Sequence, residues 1–290
     1  NPDPLAEWNI ALEGGDPETG RELFVSHPAA ECMRCHRVGE DHDAGGDTAP
    51  NLTGLAARQK DRRYFIESLI QPSAVIAPGF GAVSLGFKNG AGASGNLLAE
   101  TGDHLDIEYK GRPVRIKRSD IATLSEPASA MPPMTGLLKP AEVRDLVAWL
   151  ASLTEESRTP AAATQPEAFD PATLVKSGAP AADNESETTK LGRTQYLICG
   201  ACHGQQGEGT AIAPPLAGSE WVNGPVENLI RIQLRGLNGP ITVKGKTHEF
   251  PAGMTPLAYQ SDEQIAAVLS YIRSSFGNNA SAVSAEEVAK

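Results

Sequence analysis

The stretch CMRCH, Cys32–His36, decides how this chain is read, because it returns as CGACH at Cys199–His203. All four cysteines in the 290 residues fall in these two pentapeptides. Two thiols three positions apart, with an imidazole directly after them, form the attachment signature of c-type haem. The thiols add across two vinyl groups on one edge of the porphyrin, and the histidine is set against one face, where a ring nitrogen binds iron. A shared zinc site would bring its second pair back within about 20 residues, whereas most of this chain separates the pairs. A redox dithiol or a disulfide leaves both histidines without a role. The expectation is two covalently bound haem c groups, one on Cys32 and Cys35 with His36 on iron, the other on Cys199 and Cys202 with His203.

Outward from each pentapeptide the same elements recur in the same order. A short helical stretch precedes each one, GRELFV from Gly20 and GRTQYLI from Gly192. A proline-leucine segment follows, APNL from Ala49 and APPL from Ala213. A metal-bound histidine normally donates its other N–H to a carbonyl or carboxylate, and Pro50 and Pro214 are placed to offer that carbonyl. Next come amphipathic stretches, Asp61–Gln71 stopped by Pro72, and Val226–Arg235 with Gly236 as its cap. Each half closes on a helix with apolar residues at i, i+3, i+4 and i+7. In Pro140–Leu153 these are Val143, Leu146, Val147 and Leu150. In Ser261–Ser274 they are Ile265, Val268, Leu269 and Ile272, behind a Ser261–Gln264 capping box.

Methionine opposite histidine gives high-potential electron carriers, so the four methionines are weighed for the sixth iron position. Met33 lies between the attaching cysteines and is unable to reach across the ring. Met254, in AGMTPL, has no competitor in its half. The first half offers SAMPPM, in which the spacing to the closing helix and the following Pro132 favour Met131, with Met134 as the alternative. The rival ligands His27, His42, His104 and His248 do not recur at matching places in the two halves.

The halves differ between Pro78 and Ile121. There Val83, Leu85 and Phe87 alternate, as do Leu105, Ile107 and Tyr109, and then Val114 and Ile116, with turns at Asn89-Gly90, Thr101 and Lys110-Gly111. This predicts a small antiparallel β insertion at about 78–121. Residues 154–189 are rich in Ala, Pro, Thr, Ser and Glu and read as a flexible linker, in which Phe169–Val175 is the one patch suited to local docking. Residues 278–290 read as a polar tail. The predicted fold is mainly α: domain 1 over 1–153 carrying the β insertion, the linker, and domain 2 over 190–277.

The formal net charge of −11 disfavours nucleic acid as a partner, since such proteins need a basic face to displace counterions. It also disfavours an anionic membrane surface, and no apolar run is long enough to span a bilayer. Aromatic residues are only 5% of the chain, a composition suited to cores that bury another large flat group. The sequence opens on Asn1 and is expected to be a processed form or a piece of a larger chain.

Residues 190–277 resemble a class I cytochrome c domain through CGACHG, GEGTAIAPPLAGSEW, RGLNGP, the GMTPL loop and SDEQIAAVLSYIR. Residues 20–153 resemble a bacterial c-type haem-binding domain with a β insert, often fused to secreted dehydrogenases, through GRELF, CMRCH, APNLTG, QPSAVIAPGF, KNG, SAMPPM and RDLVAWL. The resemblance implies a periplasmic or otherwise exported dihaem cytochrome. It would carry electrons from a dehydrogenase donor to a cytochrome or oxidase acceptor, alone or as part of a larger dehydrogenase chain or complex. The competing reading is a dihaem redox enzyme, peroxidase-like, with one open or displaceable iron site. A gas sensor is a third, but no linked output element is visible.

Overall fold

The structure, a computed structural model, describes residues 3–39, 45–154, 165–174, 186–250 and 253–290. Backbone contacts divide it into two compact units, one of Asn1–Phe80 and Met131–Thr164, the other of Gly81–Ala130 and Gln165–Lys290.

The first unit is helical. Helix α1, Pro17–Ser26, starts where Asp16 accepts the Glu18 amide and Pro17 fills the first position, whose missing N–H costs nothing. Short α2, Leu55–Arg58, leads into α3, Arg62–Ile70, which Asp61 caps through the Arg63 amide. Helix α4, Pro140–Leu150, buries Val143, Leu146, Val147 and Leu150, the stripe expected from its periodicity. A 3-10 segment, Ala6–Leu12, brings Trp8 into the same core, beside Phe24, Phe65 and Ile66.

Helices α1 and α4 meet at a glycine. A Cβ added to Gly20 would strike the Asp145 carbonyl and lie 2.8 Å from Trp149 Cβ, so the backbones approach as closely as only glycine permits. One turn on, Phe24 packs on Trp149 with ring centroids 4.6 Å apart.

The second unit holds a sheet and a helical body. Its sheet is built from β1 (Gly81–Phe87), β2 (Gly92–Glu100), β3 (His104–Tyr109), β4 (Arg112–Lys117), β5 (Ile121–Leu124), β6 (Ala128–Ser129) and β7 (Glu167–Ala168). The order is β5-β1-β2-β3-β4-β7, with β6 also on β1. The β1–β4 meander is the antiparallel one expected, with Val83, Leu85, Phe87, Leu105, Ile107, Val114 and Ile116 in its core. At Lys110-Gly111, φ values of 51° and 75° give the two-residue turn in which both centres need positive φ.

Three expectations are corrected. The sheet is not a small insertion in a mainly α protein. Among the described residues it has seven strands, continues past Ile121 to Ser129, and is mixed, because β7 joins β4 in parallel. Alternation marks β1, β3 and β4 clearly, but Gly-rich β2 gives none of it, and β5 to β7 are too short for it to register. The docking patch expected in the linker at Phe169–Val175 begins earlier: residues 165–174 lie on the sheet, while 155–164 and 175–185 fall outside the described residues.

The helical body contains α5 (Glu187–His203), α6 (Glu220–Asn223), α7 (Val226–Arg235), α8 (Asp262–Ser274), α9 (Ala285–Val288) and a hairpin of β8 (Ile241–Val243) and β9 (Lys246–His248). Helices α5 and α8 cross as α1 and α4 do. A Cβ on Gly192 would strike the Ala267 carbonyl and lie 2.8 Å from Tyr271 Cβ, and Tyr196 packs on Tyr271 at 5.6 Å.

The third correction concerns residues 278–290, which are docked rather than a polar tail. Val283 and Val288 are buried in the core of the helical body. Buried Asn278 has all four hydrogen-bonding positions filled, by the Gly218 amide, Asn223 Nδ2, and the Leu216 and Ile272 carbonyls. Arg273, 4% exposed, donates to the carbonyls of Val222, Gly224 and Ser281. Deleting 278–290 is expected to lower stability by roughly 3–6 kcal/mol from the two valines alone. Thermal unfolding followed by circular dichroism measures it, and an unchanged midpoint would contradict the packing described.

Candidate functional site

In the second unit the pentapeptide forms the last turn of α5. Three-residue spacing on a helix sets Cys199 and Cys202 on one face, with His203 one turn beyond Cys199. His203 Nδ1 lies 2.7 Å from the Pro214 carbonyl oxygen. An acceptor there fixes the proton on Nδ1 and leaves the Nε2 lone pair for a metal. Tyr196, one turn before Gly200 on α5, donates its hydroxyl to the Gly204 carbonyl at 2.7 Å, steadying the chain just past the histidine.

The first unit reaches the same arrangement by a different backbone. Its pentapeptide is not on α1 but on a separate 3-10 turn, Cys32–Arg34, entered through Glu31 at φ 39°. The His36 amide donates to the Cys32 carbonyl at 2.9 Å, and His36 Nδ1 lies 2.9 Å from the Pro50 carbonyl oxygen. Thus Pro50 and Pro214 face equivalent nitrogens in the two units. The desolvating surroundings of each ring push its pKa below the usual histidine value, against the upward pull of the proline carbonyl. Both shifts favour the neutral imidazole, the form that ligates metal.

The methionine loops correspond through a hydrogen bond. In the second unit the Leu257 amide, three residues after Met254, donates to the Gln233 carbonyl on α7 at 2.8 Å. In the first, the Met134 amide, three residues after Met131, donates to the Leu69 carbonyl on α3, also at 2.8 Å. Met131 therefore corresponds to Met254, and Met134 to Leu257. Met134 is 3% exposed in the core, whereas Met131 sits half-buried at the fringe of that core, as does Cys32. Met254 is clasped by Leu237 in both directions, at 2.7 and 3.0 Å. Met33 packs against the first core.

The other histidines are engaged elsewhere. His27 Nδ1 accepts the amides of Ala29 and Ala30, His104 pairs with Thr101 Oγ1 at 3.0 Å, and His248 stacks on Phe250. His42 lies outside the described residues.

The donor set fits a haem better than the rival chemistries. No described group of three or more His, Cys, Asp and Glu side chains is arranged to hold a metal ion. Burial pushes the Cys199 thiol up to about 12 and the Cys32 thiol up to about 11, the reverse of the lowered pKa that a reactive dithiol needs. Among the described residues no disulfide joins any of the four cysteines. Each unit also buries one side-chain donor with no protein partner among the described residues, Trp8 Nε1 in the first and Tyr259 Oη in the second. Buried donors seldom stay unpaired, and Tyr259 lies near enough to Cys199 to feel its charge, so the second site leaves room for an acceptor from outside the chain.

Sequence reading treats Gly20 and Gly192 as the starts of helical stretches and misses their role at the crossings. The signal is present: each precedes an aromatic by four positions, and Trp149 and Tyr271 follow Val143 and Ile265, respectively, by six.

Comparison with known proteins bears on the second unit. Residues 189–276 match the family model described as cytochrome c. Over 88 residues the chain is 42% identical to cytochrome c-552 of Thermus thermophilus, covering 29% of this chain and 66% of that protein. It is equally similar to a second cytochrome c-552 from a named strain of Thermus thermophilus, of which it covers 58%. The chain thus spans less than two thirds of these relatives' lengths.

Proposed function

We propose that this chain, whose residues 189–276 are a cytochrome c domain implying covalently bound haem c, is a dihaem electron carrier with its second haem in the first unit. The single observation that carries the reading is the repetition of one site. Both units have a Cys-x-x-Cys-His pentapeptide, a proline carbonyl on histidine Nδ1, and a methionine three residues before an amide bonded to the preceding helix.

When bound, such a group supplies an iron centre that gains and loses one electron. The chain's residues hold it. Cys32 with Cys35, and Cys199 with Cys202, anchor one porphyrin edge. His36 and His203 offer Nε2 while Pro50 and Pro214 hold the Nδ1 proton. Met131 and Met254 would each supply a thioether ligand, leaving Met134 to the core. With a histidine and a methionine both offered to each group, the sites would suit electron transfer rather than turnover of a bound substrate, which favours the carrier over the peroxidase-like alternative. The donor would be a periplasmic dehydrogenase and the acceptor an oxidase or a second cytochrome, with the chain exported so that its thioethers can form. No helix among the described residues is long and apolar enough to cross a membrane.

The test is haem content. The matured protein is expected to carry two haems by mass and by its reduced visible spectrum. Replacing Cys199 and Cys202 with serine should leave one haem, and so should replacing Cys32 and Cys35. A single haem in the unmodified protein would overturn the dihaem reading.

A further inference from the structure

The connector between the cysteine-bearing halves touches down part-way. Glu167 and Ala168 pair in parallel with Val114 and Arg115 on β4, and the Phe169 amide donates to the Arg115 carbonyl at 2.9 Å. The Phe169 ring then packs between Phe87 and Tyr109, at centroid distances of 6.1 and 5.2 Å. Asn89 Nδ2 donates to the Pro171 carbonyl at 3.0 Å, Pro171 is buried, and Leu174 packs on the sheet core. Asp170 caps the 3-10 turn Pro171–Thr173 through the Ala172 amide. Strand pairing, an aromatic anchor, a side-chain hydrogen bond and a capped turn fall within ten residues, far more than an incidental contact of a low-complexity linker would bring together.

We propose that the β4 edge and the Phe87–Tyr109 groove form a docking site for an extended, aromatic-bearing strand, and that its occupant is the chain's own segment 165–174, acting as a clasp. The mode is strand addition, in which main-chain hydrogen bonds give affinity and a side-chain pocket gives specificity. The same contact covers an edge that would otherwise present unpaired amides and carbonyls.

The clasp changes how the cytochrome c domain is tethered. With it, only the 11 residues 175–185 separate the anchor on the sheet from Ser186, the cap of α5. Eleven residues reach at most about 40 Å. The domain has a place to land on the sheet: Gln206, three residues after His203, donates to the Ser94 carbonyl on β2 at 3.4 Å. The clasp therefore favours keeping the pentapeptide end of α5 beside the sheet. It acts in this way however many haems the chain carries.

Hydrogen exchange read by mass spectrometry on the full, haem-loaded chain tests it. Peptides covering 165–174 are expected to exchange at least tenfold more slowly than an unstructured peptide of the same sequence. In Phe169→Pro, which removes both the ring and the amide donor, they should exchange at the unstructured rate while β2 and β3 keep their protection. Phe169→Ala, which keeps the amide, should fall between. Small-angle scattering of Phe169→Pro should show a larger radius of gyration than the parent protein. Unprotected 165–174 in the parent, or protection that survives Phe169→Pro, would overturn the clasp. An unchanged radius of gyration after release would overturn its role as a tether.

Discussion

Gly192→Ala is expected to destabilise the second unit by about 3 kcal/mol or more, the upper range for overpacking. The added methyl meets main chain, the Ala267 carbonyl, rather than the end of a flexible side chain. Relief requires α5 and α8 to separate, which parts Tyr196 from Tyr271 and loosens the core containing Ile265, Val268 and Leu269. Because α5 also carries Cys199 and His203, the same displacement should reduce haem retention. Gly20→Ala repeats the clash against Asp145 and Trp149 in the first unit. There the pentapeptide lies on its own turn beyond α1, so stability should fall by a similar amount with less effect on the pentapeptide's geometry. Denaturant unfolding gives the first quantity, and the Soret absorbance per chain the second. Stability within about 1 kcal/mol of the parent for Gly192→Ala would contradict so close a crossing.

The methionine variants separate ligation from packing. Met254→Ala and Met131→Ala should each abolish, at one haem, the near-infrared band of methionine-ligated ferric iron, and lower that haem's potential. Half-buried Met131 fills little of the core, so the stability cost should be small. Met134→Ala should do the opposite: a loss of about 2–5 kcal/mol, the range for truncating a buried methionine, with the band retained. If Met134→Ala removed the band and Met131→Ala spared it, the loop correspondence built on the Leu69 and Gln233 carbonyls would fail.

Much of this is legible from residues alone because the chemistry is local. A pentapeptide needs no tertiary context to be read, and the closing helices announce themselves through stripes such as Val143, Leu146, Val147 and Leu150. Capping is likewise local, as at Ser261 with Gln264 and at Gly236 after α7. What escapes depends on partners distant in sequence. Glu167 and Ala168 have no strand signature and become a strand only because β4 offers an open edge more than fifty residues earlier. The segment after Gly277 looks polar, and its two valines gain meaning only beside α8. The shared register of the Met131 and Met254 loops, set by amide bonds to Leu69 and Gln233, is likewise invisible in the spacing. The glycine crossings are missed because a small residue carries no hydrophobic signal, and only the neighbouring helix shows why nothing larger fits.

The acceptors on His36 and His203 are main-chain atoms, and this bears on how the sites withstand mutation. Every amino acid brings a carbonyl, so no single substitution at position 50 or 214 can delete that acceptor, as one could delete a carboxylate. Only its aim can be lost, and proline's ring, which fixes φ, restricts that drift. Imidazole orientation in both units is thus guarded by geometry that point changes perturb but do not erase.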